Sequence, residues 1–296
     1  MKKLRILLGC ILALTQHPVI AQINPMGSSY YQNLYLSNPA MVGLENGWEA
    51  NAAYKAQRIS VEEAPSMQVV SVGYGGKSKK LGLGLLFYND QAGVFRKTSL
   101  KGSYAYHLPL NQGASQMLDF GLSAGIVDEW IDYAKVDGDK GDVILNNFNQ
   151  RKQYFDTDLG VAYRDNHLNI QAAIPNLKRV FNRDLKRNVI DRASLFASAS
   201  YKFVYQNQIF SLIEPKIVYR GLNDYKDQLD LAVNTKFWSD KFLLNVVYHS
   251  SNSLSVGLGA VYEERLSILA MYTTSTFGLQ DFSNGEFEVG LKYNFK

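Results

Sequence analysis

The residues able to do chemistry are few and scattered. His107, His167 and His249 lie far apart on different expected strands or turns, and none has a second metal-binding side chain at close spacing. Histidines so placed are structural or interfacial rather than metal ligands. A Ser/His or Asp/His site assembled in space from separate strands leaves no spacing signal, so the sequence names no catalytic residue. Gly82-Leu83-Gly84 and Gly257-Leu258-Gly259 fail as phosphate loops, because they sit inside strand patterns and no helix follows. They read as small inward residues that relieve crowding or ease sheet curvature. Asp137-Gly138-Asp139-Lys140-Gly141-Asp142 opens like a calcium loop, but Phe148 stands where the closing glutamate belongs, and a solvated loop tip fits it better. The stretch Asn176 to Arg192 carries Lys178, Arg179, Arg183, Lys186, Arg187 and Arg192. It suits an anionic surface such as lipopolysaccharide, or an acidic partner, and equally an ordinary solvated loop. No cofactor, metal or catalytic residue is expected.

The elements that must position these residues belong to an exported protein. Lys2, Lys3 and Arg5 precede the apolar run Ile6 to Leu14, and Val19-Ile20-Ala21 offers a small-residue cleavage site. That order is a secretory signal peptide over residues 1–21, far short of the roughly 20 apolar residues of a spanning helix. Leu7-Leu8-Gly9-Cys10 also resembles a lipoprotein box, but cutting there would leave almost no apolar run. Cys10 is the only cysteine, so the mature chain is expected to hold no disulfide and no thiolate site. The formal charge of +4 drops to +1 once the three leader cations are gone, which gives no basis for nucleic-acid binding.

Almost everywhere else the hydrophobic period is two. Phe287, Val289, Leu291, Tyr293 and Phe295 alternate with Glu286, Glu288, Gly290, Lys292 and Asn294. The same alternation runs through Leu118 to Ile126, Leu195 to Phe203, Leu229 to Phe237 and Leu254 to Tyr262. A soluble sandwich also alternates, so the solvent is decided by other features. The second face is rich in Gly, Ser, Ala, Asn and charge, as a wet lumen requires. Aromatics such as Tyr54, Phe87, Tyr106, Tyr248, Tyr262 and Tyr293 fall near strand ends, where an interfacial girdle needs them. Many strands run close to ten residues, the length of a tilted span.

The pattern predicts an all-β transmembrane antiparallel barrel of about fourteen strands over residues 48–296. The strands fall near 48–58, 67–74, 81–90, 97–107, 117–128, 154–164, 167–174, 193–204, 210–220, 228–237, 242–249, 254–262, 266–273 and 286–296. Connections after even-numbered strands are mostly tight, and those at 129–153, 175–192 and 274–285, after odd-numbered strands, are long. This is the polarity of short periplasmic turns and longer extracellular loops. Pro215, inside the ninth strand, predicts a bulge. Glu286 to Phe295 is expected to pair with the first strand near Trp48 to Arg58, because an open edge cannot stand in lipid. Its aromatic terminus has the form that barrel-assembly machinery reads, with Lys296 displacing the aromatic by one place. Changing Phe295 and Val289 together to Asp is expected to abolish membrane assembly.

The segment ahead of the barrel, residues 22–47, is the most distinctive part. It reads Gln22-Ile23-Asn24-Pro25, then Tyr30-Tyr31-Gln32-Asn33, then Ser37-Asn38-Pro39-Ala40-Met41-Val42-Gly43. With Glu214-Pro215-Lys216 and the aromatic last strand, it resembles the PorP/SprF family of Bacteroidota over essentially the whole mature chain. Lys216 stands where that family usually has Ser. The resemblance implies an outer-membrane component of the type IX secretion system, tied to gliding motility. It implies a partner too: the C-terminal domain of a cognate secreted adhesin, received or anchored at the cell surface. It further implies contact with periplasmic components of the machinery.

The aromatics of residues 22–47 argue against a disordered leader. The segment is expected to start in the periplasm and to fold against or into the periplasmic mouth, narrowing the lumen or offering a docking surface. Tyr30, Tyr31, Asn38, Pro39, Ala40 and Gly43 are its candidate partner-binding residues. Phe287, Val289, Leu291, Tyr293 and Phe295 form the assembly strand. The rival function is an outer-membrane channel for hydrophobic or small solutes, with an N-terminal plug; a barrel enzyme is a third.

Overall fold

The computed structural model describes residues 26–57, 64–132, 153–177, 193–205, 209–222, 227–274 and 285–295. The expected leader at 1–21, the acidic run at 137–142 and the basic run at 178–192 lie outside them.

Strands β1 (Gly47–Gln57), β2 (Ser66–Gly75), β3 (Leu81–Ala92), β4 (Phe95–Pro109), β5 (Met117–Ile131), β6 (Tyr154–Arg164) and β7 (Leu168–Ile174) form the first half of one sheet. The second half comprises β8 (Ala193–Tyr201), β9 (Phe203–Val204), β10 (Phe210–Leu222), β11 (Gln228–Phe237), β12 (Phe242–His249), β13 (Ser253–Tyr262), β14 (Leu266–Thr273) and β15 (Glu286–Phe295). β8 and β9 are one stave interrupted at Lys202, so the staves number fourteen, all antiparallel to their neighbours. The sheet closes where β15 meets β1, in register from Trp48 opposite Phe295 to Gln57 opposite Glu286. Closure leaves no unpaired edge, the condition for a sheet in lipid.

The alternation sorts side chains opposite to a soluble protein. Leu85, Leu100, Ile126, Phe155 and Leu258 point outward and are exposed, whereas Lys55, Lys97, Lys101, His107, Asp90 and Asp119 are among the most buried side chains. An apolar exterior around a charged interior is stable only when the outside solvent is hydrocarbon. The interior charges pair along the wall: Lys97 on β4 lies 2.6 Å from Glu129 on adjacent β5, and Lys101 Nζ on β4 reaches past β5 to Asp156 at 2.8 Å and Asp158 at 2.7 Å on β6. Breaking such a pair leaves a buried charge uncompensated, at a cost of about 3–5 kcal/mol.

One rim carries the start of β1, the end of β15 and tight turns such as 165–167, 238–241 and 263–265. The opposite rim carries the long connections, but β3–β4 and β12–β13 are tight there too, through Gly93-Val94 and Ser250–Asn252. β4 and β5 extend to 15 residues each, beyond the expected boundaries, because inward Lys97 keeps its partner Glu129 in that added length.

Pro215 does not make a bulge. Its register opposite Val233 is continuous, and the irregularity of β10 lies between Phe210 and Leu212. On the other side, pairing stops at Ile213 opposite Phe203 and resumes at Lys216 opposite Ser200. The same register holds across the gap, so the missing N–H costs a ladder step rather than an inserted residue.

Candidate functional site: a lumen shared between a packed segment and an open vestibule

Residues 26–46 lie inside the barrel. Three 3-10 turns, η1 (Gly27–Tyr30), η2 (Leu34–Leu36) and η3 (Pro39–Met41), carry the chain between the two ends of the lumen. Near the tight-turn rim, Gly43 (φ +69°) approaches the backbone of Tyr74 and Gly82 so closely that a Cβ has no room. η1 sits near the loop rim, where the Gly27 and Ser28 N–H groups donate to the Glu288 carboxylate at 2.6 and 2.7 Å.

Local chemistry shapes η3. The Asn38 side chain accepts from Ala40 N–H at 2.9 Å, and Pro39 at the first position has φ preset for the turn. Asn38 Nδ2 donates to the Val161 carbonyl at 3.2 Å. The wall opposite is stripped of side chains: a Cβ on Gly121 would collide with the Pro39–Ala40 backbone, and one on Gly160 with Asn38 Oδ1. Gly82 and Gly84 take Val42 and Tyr35 in the same way. Asn38, Ala40 and Val42 are fully buried as a result.

Polar side chains of the wall hold the rest. Tyr35 Oη lies 2.5 Å from Ser103 Oγ, which lies 2.5 Å from Ser123 Oγ. Burial pushes the Tyr35 phenol up to about 12, so it stays neutral. His107 contacts the Val42 carbonyl at 3.1 Å and Asp119 at 2.7 Å. Arg164 supports Asp119 at 2.6 Å. At the other end Tyr30 Oη donates to Asp230 at 2.6 Å and accepts from Arg220 at 3.1 Å, and the Tyr30 carbonyl accepts from Lys216. Tyr31 Oη donates to the Glu214 carbonyl at 2.9 Å, with Lys216 Nζ 4.5 Å from its ring centre. The Glu214-Pro215-Lys216 run is thus the clamp on the Tyr30-Tyr31 pair.

Asp230, His249 and Ser255 have the connectivity of a hydrolytic triad: His249 Nδ1 donates to Asp230 at 2.9 Å and Nε2 lies 2.8 Å from Ser255 Oγ. The geometry of a site is incomplete, because a nucleophile needs space for a substrate carbonyl. Ser255 is 4% exposed, its hydroxyl is also 2.6 Å from Thr273 Oγ1, and Tyr30 packs edge-on to the His249 ring. The trio anchors η1.

The segment does not fill the lumen evenly. Between η1 and the tight-turn rim, on the β10–β15 and β1 side, a vestibule of about 870 Å³ remains. Tyr31 and Gln32 border its inner end, and Lys79, Ser239 and Glu264 its mouth. Of the candidate binding residues, Tyr31 faces this space, whereas Tyr30, Asn38, Pro39, Ala40 and Gly43 are buried against the wall. Phe287, Leu291, Tyr293 and Phe295 face outward on β15, and Val289 is half-buried on the same face. Glu288, Asp230, Arg220, Lys216, His107 and Asp119 were not singled out as binding residues by sequence. Their one signal is a charge on the inward face of a strand.

A closed barrel with an apolar belt and a charged, partly filled lumen defines an outer-membrane β-barrel protein. The sequence matches the family described as "Type IX secretion system membrane protein PorP/SprF" over residues 19–293, and the chain belongs to that family. Solved structures with a similar course include the outer membrane protein Omp33 of Acinetobacter baumannii, at 8% identity, covering 86% of this chain and 100% of that one, TM-score 0.47. A bacterial polysaccharide outer membrane secretin follows at 11%, 85% and 99%, TM-score 0.47. The KdgM porin stands at 8%, 84% and 99%, TM-score 0.40. No curated protein matches the sequence. Family and fold point to a structural or secretion role rather than to catalysis.

Proposed function

We propose that this barrel serves type IX secretion without catalysing a reaction, assisting export or surface anchoring of the C-terminal domain of a cognate secreted adhesin used in gliding. Periplasmic components of the system dock at its tight-turn rim; short turns on the periplasmic side are the usual pattern of outer-membrane barrels, which supports this orientation. The observation that carries this reading is the course of residues 26–46 through the lumen, fixed to β2, β4, β6, β10, β11 and β15 by buried and part-buried hydrogen bonds. A solute channel needs a continuous path, and this segment lies across it. Co-purification from native outer membrane tests the reading: a large secreted adhesin and periplasmic secretion components should come down with the barrel. Recovery of the barrel alone from mild detergent, with adhesin export intact in a strain lacking it, would overturn it.

A further inference from the structure

We infer that the vestibule is a blind receiving site for an extended, uncharged polar polypeptide segment entering from the tight-turn rim. This inference takes the secretion reading as its basis and adds the side of access and the chemistry of the occupant.

Four observations lead there. The space is bordered by four acidic side chains (Glu45, Glu49, Asp240, Glu264) and four basic ones (Lys79, Lys236, Arg265, Lys292). Glu49 pairs with Lys292 at 3.1 Å and Asp240 with Lys236 at 3.2 Å, so the wall presents balanced charge and selects neither a polyanion nor a polycation. Its cross-strand pair Asn234 and Asn245, on β11 and β12, sets two amides side by side. Asn245 is 2% exposed, and its amide oxygen and that of Asn294 have no hydrogen-bond partner among the described residues. Buried amides in that state are completed by a ligand or by water. Amide pairs match the alternating N–H and C=O groups of an extended chain.

An oligosaccharide is the poorer fit. Sugar faces need an open aromatic platform, and the lumen-side ring here, Tyr31, is covered by Lys216. Trp48 and Phe295, at the mouth, turn outward and are exposed. Past Tyr31 and Gln32 the space continues toward Asn169 and Lys202 in a second cavity of about 540 Å³, and η1, tied to Glu288 and Asp230, stands between both and the loop rim. The site holds a tail and does not pass it.

The test uses the purified full chain and a fluorescein-labelled pool of 12-residue peptides of Gly, Ser, Thr, Asn and Val, read by anisotropy. Saturable binding is expected, displaced by unlabelled pool and not by maltohexaose. The double variant Asn234→Leu/Asn245→Leu should bind at least tenfold more weakly, with the lipid-facing variant Leu258→Ile unchanged and Asn245→Gln partly retaining binding. Heat-modifiable mobility confirms that each variant is assembled. Absence of saturable binding, equal binding by the double variant, or displacement by maltohexaose overturns the inference. In cells, lost export in the barrel-deletion strain with normal export in the double variant sinks the inference alone. Normal export in the deletion strain sinks the secretion reading itself.

Discussion

The half of the lumen walled by β3 to β6 and the half walled by β11 to β15 use the same residue classes and reach opposite states. Both carry Gly-x-Gly on an inward face, at Gly82 and Gly84 and at Gly257 and Gly259. In the first half the missing side chains make room for the backbone and side chains of residues 35–42. In the second, a Cβ on Gly257 would meet the Met271 side chain, and one on Gly259 the Leu243 side chain and the Ile268 carbonyl of a neighbouring strand. One pair seats a foreign segment; the other relieves crowding within the wall. Identical residues therefore carry different information, set by what the opposite side of the barrel brings to them.

The comparison can be broken most severely by removing the occupant. Deleting residues 26–46 should turn small or absent current steps in planar bilayers into large, stable ones, because both halves would then be open. Unchanged conductance would mean that the segment does not divide the lumen. Next in size is Asp230→Ala, which leaves Arg220 buried without its carboxylate and should lower stability by about 3 kcal/mol, read from the heat-modifiability midpoint. Gly121→Val should follow, at about 1–3 kcal/mol, because the obstruction is the Pro39–Ala40 backbone; Gly257→Ala should cost less, since Met271 can change rotamer. Equal losses at the two glycines would erase the distinction. Smallest should be Asn234→Ala in the open half, within about 0.5 kcal/mol. Finally, Ser255 should resist a fluorophosphonate probe in the intact barrel; labelling at that residue would show that the Asp230-His249-Ser255 trio has substrate access.

Much of the wall was legible in the sequence, because alternation over ten residues has one physical meaning once the polar face is charged. Register at the seam followed as well, since lipid forbids an edge. Pro215 misled for a definable reason. A proline predicts an interruption but not its form, and here the neighbouring strand breaks at Lys202 instead of the chain bulging. The lumen was far less legible. Tyr30 meets Asp230, two hundred residues away, and Tyr35 meets Ser103; no local spacing records such pairs. Asn38-Pro39-Ala40 announced a turn, but not that its neighbours would be glycines from two other strands.

The contact of Gly27 and Ser28 with Glu288 carries a consequence for biogenesis. The first described turn is held by a residue of β15, and β15 also fastens to β1. A nascent chain that reaches β14 has the partners of Tyr30 on β10 and β11 but neither the seam nor the Glu288 clasp. Completion of the ring and of the Glu288 clasp are thus a single event, governed by one late-arriving strand.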